Sequence, residues 1–69
     1  MKISARNQIP AKVAAINRGE AIANVKLDAG GVTLTASITV EAVDELGLRE
    51  GSEVLALVKA SDVLIGVAG

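Results

Sequence analysis

The sequence predicts an all-β domain that carries one short helix. Apolar residues recur at every second position through most of the chain, which is the period of a half-buried strand. β-Branched residues are concentrated in these stretches, and turns containing glycine or asparagine separate them. Only one short segment, after Thr39, departs from the period of two. With 69 residues the chain has room for one domain, and we assign residues 1–69 to it.

The first two predicted strands are joined by the turn Asn17-Arg18-Gly19. Strand 1 covers Ile9–Ile16, and its Pro10, which has no N–H to donate, favours a sheet edge or a strand start. Strand 2 covers Glu20–Leu27. One face of strand 2 carries only apolar residues, which are Ala21, Ala23, Val25 and Leu27.

The clearest strand follows the turn Asp28-Ala29-Gly30-Gly31, whose glycines tolerate positive φ. Strand 3 covers Val32–Val40, where apolar and hydroxyl-bearing residues alternate strictly over nine positions. Its apolar face carries Val32, Leu34, Ala36, Ile38 and Val40. Strands 2 and 3 are therefore predicted to form a hairpin.

One short helix lies between strands 3 and 4. Thr39 is a suitable N-cap, and Glu41 lies in the first turn, where the helix dipole favours an acidic side chain. Gly47 is a typical residue just after a helix. The predicted buried stripe consists of Ala42, Val43 and Leu46.

The last two predicted strands complete the domain. Strand 4, at Glu53–Ala60, is apolar on both faces, so both faces need cover, and a neighbouring subunit would supply one of them. Strand 5 covers Asp62–Val67. Three strands, a short helix and two further strands predict a five-stranded Greek-key barrel of the OB type.

Composition removes several classes of function. The chain has no histidine, cysteine or aromatic residue, so it lacks the common catalytic bases and nucleophiles, the usual zinc ligands and any stacking platform for single-stranded nucleic acid. Seven basic and eight acidic residues form no basic footprint. No apolar run approaches the ~20 residues of a membrane span, and the N-terminus lacks the apolar core of a signal peptide. We expect a cytoplasmic protein that is not an enzyme and binds neither nucleic acid nor membrane.

The small size of the chain predicts association. A domain this short buries only about 60% of its unfolded surface, and without cysteine no disulfide can stabilise it. Association with further copies is the remaining route to stability, so we expect a homo-oligomer.

Two polar clusters interrupt the apolar pattern, Ser4-Ala5-Arg6-Asn7-Gln8 and Lys59-Ala60-Ser61. Each combines a cation, a hydroxyl and a small residue that allows close approach to the backbone. These are the groups that a tetrahedral dianion requires. The same residues also fit ordinary surface cations beside turn serines. Because charge beside serine is common, the pattern alone favours this second interpretation.

The clusters nevertheless belong to a longer pattern that resembles the molbindins, also called molybdenum-pterin-binding proteins. The similar segments span essentially the whole chain: Met1-Lys2-Ile3-Ser4-Ala5-Arg6-Asn7-Gln8, Ser37-Ile38-Thr39, Glu45-Leu46-Gly47-Leu48, Gly51, and Val58-Lys59-Ala60-Ser61-Asp62-Val63. The opening and the Val-Lys-Ala-Ser segment are specific in combination, and either alone is weak.

The resemblance implies an OB-type barrel that assembles as a hexamer, a trimer of dimers, and binds molybdate or tungstate between subunits. The implied oxyanion-binding residues are Ser4, Ala5, Arg6, Thr39, Lys59, Ala60 and Ser61. In that site Arg6 and Lys59 would offset the charge, while no side chain would bind the metal directly. The bound anion is the only ligand implied, and no organic cofactor is expected.

The sequence departs from this family at Ala42, where some relatives carry serine. A backbone N–H of the helix could replace the missing hydroxyl donor. The family also has a second type of site, for which the turn Asn17-Arg18-Gly19-Glu20-Ala21 is a candidate. The alternative is a plain turn in which Gly19 only supplies positive φ.

Three other functions remain open. A ligand-free oligomerisation module would explain the two-sided strand 4 equally well. An OB-type nucleic-acid-binding module fits the fold but not the charge or the missing aromatics. An anion carried within a pterin cofactor fits the older family name, yet no aromatic residue is present to stack on such a ring.

Overall fold

A computed structural model describes residues 1–69, the whole chain. Its elements are β1 (Asn7–Arg18), β2 (Ile22–Ala29), β3 (Val32–Thr39), α1 (Val40–Leu46), β4 (Glu53–Val58) and a 3₁₀ turn (Ala60–Asp62). The strands form one antiparallel sheet in the order β3-β2-β1-β4, so β3 and β4 are its edges. The one α-helix is far too short to cross a bilayer. The predicted all-β architecture with a helix between strands 3 and 4 is confirmed.

The long strand β1 joins the two halves of the sheet. Its first half pairs with β4 and its second half with β2. Pro10 lies opposite Leu55 of β4 and precedes Lys12, the first β1 residue that pairs with β2. The strand is therefore an edge at the proline, and the missing N–H breaks no ladder. A register shift between Val13 and Ala15 marks a β-bulge, which bends the strand.

The β2–β3 hairpin has the predicted turn chemistry. Ala29 pairs with Val32, which leaves a two-residue loop of Gly30 (φ 65°) and Gly31 (φ 93°). Two consecutive positive φ values match the twist of antiparallel strands and require glycine-like residues. The Gly31 N–H also donates a hydrogen bond to Asp28 Oδ1 at 3.0 Å.

The helix begins and ends where the sequence predicts. Thr39 Oγ1 accepts a hydrogen bond from the Ala42 N–H at 3.0 Å, and Gly47 adopts a left-handed conformation with φ 63°. Val43 is fully buried, but Leu46 is 68% exposed, so its place in the predicted buried stripe is wrong. Leu46 lies beside an opening in the sheet, and no other part of the protein covers it.

The core of one copy is small. Six side chains are buried, all of them apolar: Ala11, Val13, Ala23, Val25, Leu27 and Val43. Three come from the predicted inner face of strand 2, while Ala21 precedes β2 and is exposed. The inner face of β3 is only half buried, because nothing covers it on one side.

The predicted fifth strand is absent, and the sheet is not a closed five-stranded barrel. Ala60 of predicted strand 4 and Asp62 of predicted strand 5 lie in the 3₁₀ turn instead, and β4 ends at Val58. No backbone hydrogen bond is made by residues 64–69. A strand needs a partner for its N–H and C=O groups, and a single copy supplies none beside this segment.

An opening remains where the fifth strand is missing. The sheet curls so that both edge strands line one apolar cleft of about 470 Å³. Every residue that lines this cleft is apolar except Thr35. Leu55 and Leu57 of β4 are 41% and 43% exposed, which confirms that this strand has two apolar faces without full cover.

We predict that Gly47→Ala destabilises the protein while Gly66→Ala does not. Both positions have open space for a Cβ, but only Gly47 has positive φ. Alanine should therefore cost about 1–2 kcal/mol of unfolding free energy at position 47 and less than about 0.5 kcal/mol at position 66. Urea unfolding followed by circular dichroism measures both. Equal midpoints for the two variants would contradict the assignment of Gly47.

Candidate functional site

The two predicted polar clusters lie at the same end of the sheet. Asn7 of β1 pairs with Val58 of β4 in an antiparallel register. Arg6 is the residue before Asn7, and Lys59 is the residue after Val58. The segments Ser4–Arg6 and Lys59–Ser61 therefore leave adjacent strands side by side, and we call them together the basic end.

Asn7 ties the two segments of the basic end together. Its side-chain Nδ2 donates a hydrogen bond to the carbonyl oxygen of Val58 at 3.1 Å, in a half-buried position. This bond adds to the backbone pairing at the last residues of the β1–β4 ladder, where strands tend to fray. Asn7 belongs to the first polar cluster of the sequence, but the sequence alone gave it no role. The feature that could have indicated this role is an amide side chain directly after the cation Arg6, at the start of a strand.

Both cations of the basic end lack a carboxylate partner. The only ion pair of the chain joins Arg18 Nη1 to Asp44 Oδ1 at 2.9 Å, far from Arg6 and Lys59. Arg6 and Lys59 are exposed and make no side-chain hydrogen bond within the protein. Two neighbouring cations without a counter-ion favour the binding of an anion.

Hydrogen-bond donors accompany these cations. The hydroxyls of Ser4 and Ser61 have no partner within the chain. In the 3₁₀ turn, the carbonyls of Lys59 and Ala60 accept bonds from Asp62 N–H (2.9 Å) and Val63 N–H (3.3 Å). The N–H groups of Ala60 and Ser61 have no acceptor in the chain. Ala5 and Ala60 add no bulk beyond a methyl group, so an anion can approach the backbone.

The structure does not bring Thr39 to the basic end of the same copy. Thr39 pairs with Ile22, and the neighbouring Ala23 pairs with Arg18 at the far end of β1. Arg6 precedes the first residue of β1, so most of the length of that 12-residue strand separates the two positions. A shallow pocket beside Thr39 is lined by four carboxylate residues, Glu20, Glu41, Asp44 and Glu45. Within one copy an anion is therefore disfavoured at Thr39.

The N–H of Ala42 itself is not available to replace a hydroxyl at this position, and replacement by another N–H of the helix stays a prediction. The Ala42 N–H already donates to Thr39 Oγ1. The Thr39 hydroxyl hydrogen remains, because a hydroxyl can accept one bond and donate another.

The turn between β1 and β2 gives little support for a second anion site. Arg18 is paired with Asp44, and the Gly19 N–H donates to the Ile22 carbonyl oxygen at 2.8 Å. Gly19 does not have positive φ, so the expected reason for this glycine is wrong. A Cβ at position 19 would lie 2.8 Å from the Ile22 oxygen, and this close approach is what requires glycine.

No group of three or more Asp, Glu, His or Cys side chains is arranged to hold a metal ion. The basic end carries positive charge, hydroxyls and free N–H groups, and one carboxylate, that of Asp62, adjoins it at the end of the 3₁₀ turn without an ion-pair partner. Its chemistry is that of oxyanion binding.

Comparison with known proteins agrees with this geometry. Residues 3–65 match the family model of the TOBE domain. The chain is 47% identical to molybdenum-pterin-binding protein 2 of Clostridium pasteurianum, over 94% of this chain and 97% of that protein.

Solved structures extend the comparison to the fold. A molybdate-binding protein from Sporomusa ovata matches with a TM-score of 0.93 at 40% identity, over 97% of this chain and all of that one. The cytoplasmic molybdate-binding protein ModG, in a form with molybdate bound, matches with a TM-score of 0.91 at 42% identity. That match covers 99% of this chain and 49% of the ModG chain. The chain therefore belongs to the TOBE-domain family, as a relative of the molybdenum-pterin-binding proteins.

Proposed function

We propose that this protein binds molybdate or tungstate in the cytoplasm and stores or buffers it. The observation that carries the proposal is the basic end, where Arg6 and Lys59 lie unpaired on adjacent strands beside unbonded hydroxyl and N–H donors. Relatives with similar sequences are named for molybdenum or molybdate, and ModG is described as cytoplasmic. The whole chain, residues 1–69, would act as the single binding domain.

Each residue of the basic end has a distinct role in this proposal. The planar guanidinium of Arg6 forks over two oxygens, whereas Lys59 acts as a point charge. The hydroxyls of Ser4 and Ser61 donate to the remaining oxygens. Ala5 and Ala60 bring free backbone N–H groups close to the anion. The oxygens of the anion, and not the metal, meet the protein, so no organic cofactor is needed.

The site is shared between copies. Thr39 can contribute its hydroxyl only from a neighbouring subunit, since it lies at the opposite end of its own sheet. The charges support this arrangement, because the three unpaired carboxylates around Thr39, those of Glu20, Glu41 and Glu45, have the opposite charge to the basic end of another copy. We therefore place the sites at the interfaces of a homo-oligomer, with a hexamer built as a trimer of dimers as the expected assembly. Closure of the open sheet into a five-stranded barrel would occur within it.

Selection against sulfate follows from size. A rigid set of donors spaced for the larger oxyanion leaves some sulfate oxygens beyond hydrogen-bond distance. A donor that becomes buried on binding and has no acceptor costs free energy, and this cost weakens the binding of sulfate.

A ligand-free oligomerisation module is the second candidate. The exposed apolar faces of β4 favour it, because they account for assembly without any anion. The two candidates differ in one respect, since only the first requires the cations of the basic end.

We predict that molybdate binds the wild-type protein and that sulfate does not compete at equal concentration. Lys59→Ala should weaken molybdate binding about 10- to 100-fold, which corresponds to the loss of one charge-assisted bond. Lys26→Ala is the matched control, because Lys26 Nζ contacts Thr35 Oγ1 on the outer face of the sheet. Isothermal titration calorimetry measures all three proteins. If the wild type gives no heat of molybdate binding, the ligand-free module is favoured. If Lys59→Ala binds molybdate as the wild type does, the anion binds at another site.

A second prediction concerns the bond between Asn7 and Val58. Asn7→Ala should lower the free energy of unfolding by about 1 kcal/mol, because the half-buried Val58 carbonyl loses a donor. It should also weaken molybdate binding, since the two segments of the basic end lose the bond that aligns them. Gln8→Ala is the control, because its bond to the Ala5 carbonyl is exposed and 3.4 Å long. Thermal unfolding with and without molybdate measures both effects, and equal behaviour of the two variants would exclude an aligning role for Asn7.

A further inference from the structure

One acidic residue, Asp62, adjoins the basic end, and none of the binding roles described above uses it. It is the last residue of the 3₁₀ turn Ala60–Asp62, whose N-cap is Lys59. The residue is exposed, and its carboxylate makes no ion pair and no hydrogen bond within the chain. An unpaired carboxylate therefore lies in the same turn as the unpaired ammonium of Lys59.

The turn keeps Asp62 within reach of Lys59. The Asp62 N–H donates a hydrogen bond to the Lys59 carbonyl oxygen at 2.9 Å, which holds the two residues at the two ends of one turn. In a 3₁₀ turn, side chains three positions apart eclipse each other. A carboxylate three positions after an N-cap also commonly reaches back to the cap residue. Because both side chains are exposed, rotation about their own bonds is enough to bring them together.

The carboxylate of Asp62 resembles part of an oxyanion. It presents two oxygens that accept hydrogen bonds and share a negative charge, as two oxygens of a tetrahedral dianion do. The ammonium of Lys59 attracts either group. When Asp62 pairs with Lys59, an incoming anion must displace it before it can use the same ammonium.

The charges of these segments are unequal to those of a dianion. Arg6 and Lys59 supply two positive charges, and Asp62 removes one of them. A dianion such as molybdate is therefore only partly neutralised, whereas the two cations alone would balance it. Because the Coulomb energy is proportional to the charge of the ion, Asp62 repels a dianion twice as strongly as a monoanion at the same position.

We propose that Asp62 is a specificity-determining residue of the basic end, because its carboxylate competes with the bound oxyanion for Lys59. This inference rests on the proposed function and concerns the regulation of the same site. In the empty site Asp62 pairs transiently with Lys59, and in the occupied site it repels the anion. Both effects lower the affinity for a dianion. The anion is therefore exchanged with solution and not trapped, as a store that releases its contents requires.

The size of each effect follows from the exposure of these groups. A pair between exposed side chains shifts an equilibrium by about two- to fivefold. Repulsion between charges a few ångströms apart in water with salt adds a factor of about two for each charge of the anion. The pairing affects all anions alike, whereas the repulsion depends on their charge.

Isothermal titration calorimetry of Asp62→Asn with molybdate tests the inference. Asparagine keeps the size of the side chain and removes its charge. We expect this variant to bind molybdate about 5- to 20-fold more tightly than the wild type. Damage to the turn would weaken binding, so a gain in affinity separates lost competition from lost structure. Unchanged or weaker binding overturns the inference and, since the wild type still binds, leaves the proposed function intact.

Two matched variants serve as controls for the charge and its position. Asp28→Asn removes the same charge from the β2–β3 hairpin, where asparagine can still accept the hydrogen bond from the Gly31 N–H. Asp62→Glu keeps a carboxylate beside Lys59. We expect both variants to bind molybdate as the wild type does. A gain in either that equals the gain in Asp62→Asn overturns the inference.

Perrhenate, a tetrahedral oxyanion with a single negative charge, tests the role in specificity. Its affinity is measured by displacement of bound molybdate from the wild type and from Asp62→Asn. We expect the substitution to raise the affinity for perrhenate about twofold less than the affinity for molybdate. A gain for perrhenate that equals or exceeds the gain for molybdate overturns a role based on charge.

Combining Asp62→Asn with Lys59→Ala tests whether the two side chains act on each other. Without the ammonium only the repulsion is relieved, so we expect the gain in molybdate affinity to fall to about fourfold or less. A gain as large as in the wild-type background overturns the competition for Lys59. If neither the wild type nor Asp62→Asn binds molybdate, the proposed function fails, and this inference fails with it.

Discussion

The antiparallel pairing of β1 with β4 is the constraint on which the rest of this structure depends. β1 lies between β2 and β4, and β4 touches the sheet through β1 alone. Without this ladder the residues before Asn7 and those after Val58 would have no reason to meet. The same ladder leaves the outer edge of β4 free, and that edge borders the apolar cleft.

A single copy pairs its backbone in the sheet better than it buries its apolar side chains. All four of its strands are paired and its turns contain the residues that their φ values demand, yet only six side chains are buried. Burial of a Val, Leu or Ile side chain contributes about 1.5–3 kcal/mol, so the exposed residues of the cleft and of the C-terminal segment 63–68 represent stability that a single copy does not realise. The composition anticipated this deficit, because a chain without aromatics or disulfides has few other sources of stability.

Local chemistry explains which parts of the fold were predictable. The Gly30-Gly31 turn, the Thr39 cap and the Gly47 terminator each follow from the preferences of a few neighbouring residues, and each lies where the sequence indicated. The inner face of strand 2 followed from its period of two. The predicted fifth strand does not form in a single copy, because alternation reports that a segment can be a strand but does not say that a partner lies beside it. The prediction that Leu46 is buried was wrong for a related reason, since its position in the helix suits burial but no layer of the protein covers it.

The candidate site was predictable in its residue types but only partly in its grouping. The resemblance to the molbindins implied that the segments at Arg6 and Lys59 act together, and their places beside Asn7 and Val58 bring them side by side. The position of Thr39 at the other end of the sheet depends on the direction of β3, which no local pattern specifies. The role of Asn7 required knowing that Val58 lies opposite it, and the reason for Gly19 required the position of the Ile22 oxygen.

The small core has a kinetic consequence as well. In the proposed oligomer, a chain that buries so few side chains by itself would be stabilised mainly by contact with another chain, and the last step of folding would be bimolecular. Collapse and hairpin formation within one chain take microseconds, whereas subunit assembly takes milliseconds to minutes and depends on concentration. A newly made copy would therefore have exposed apolar strand edges until it meets another copy, and this time depends on the concentration of the protein. During that interval it is open to proteolysis and to mispairing, so a cell that makes little of this protein would also make it less efficiently.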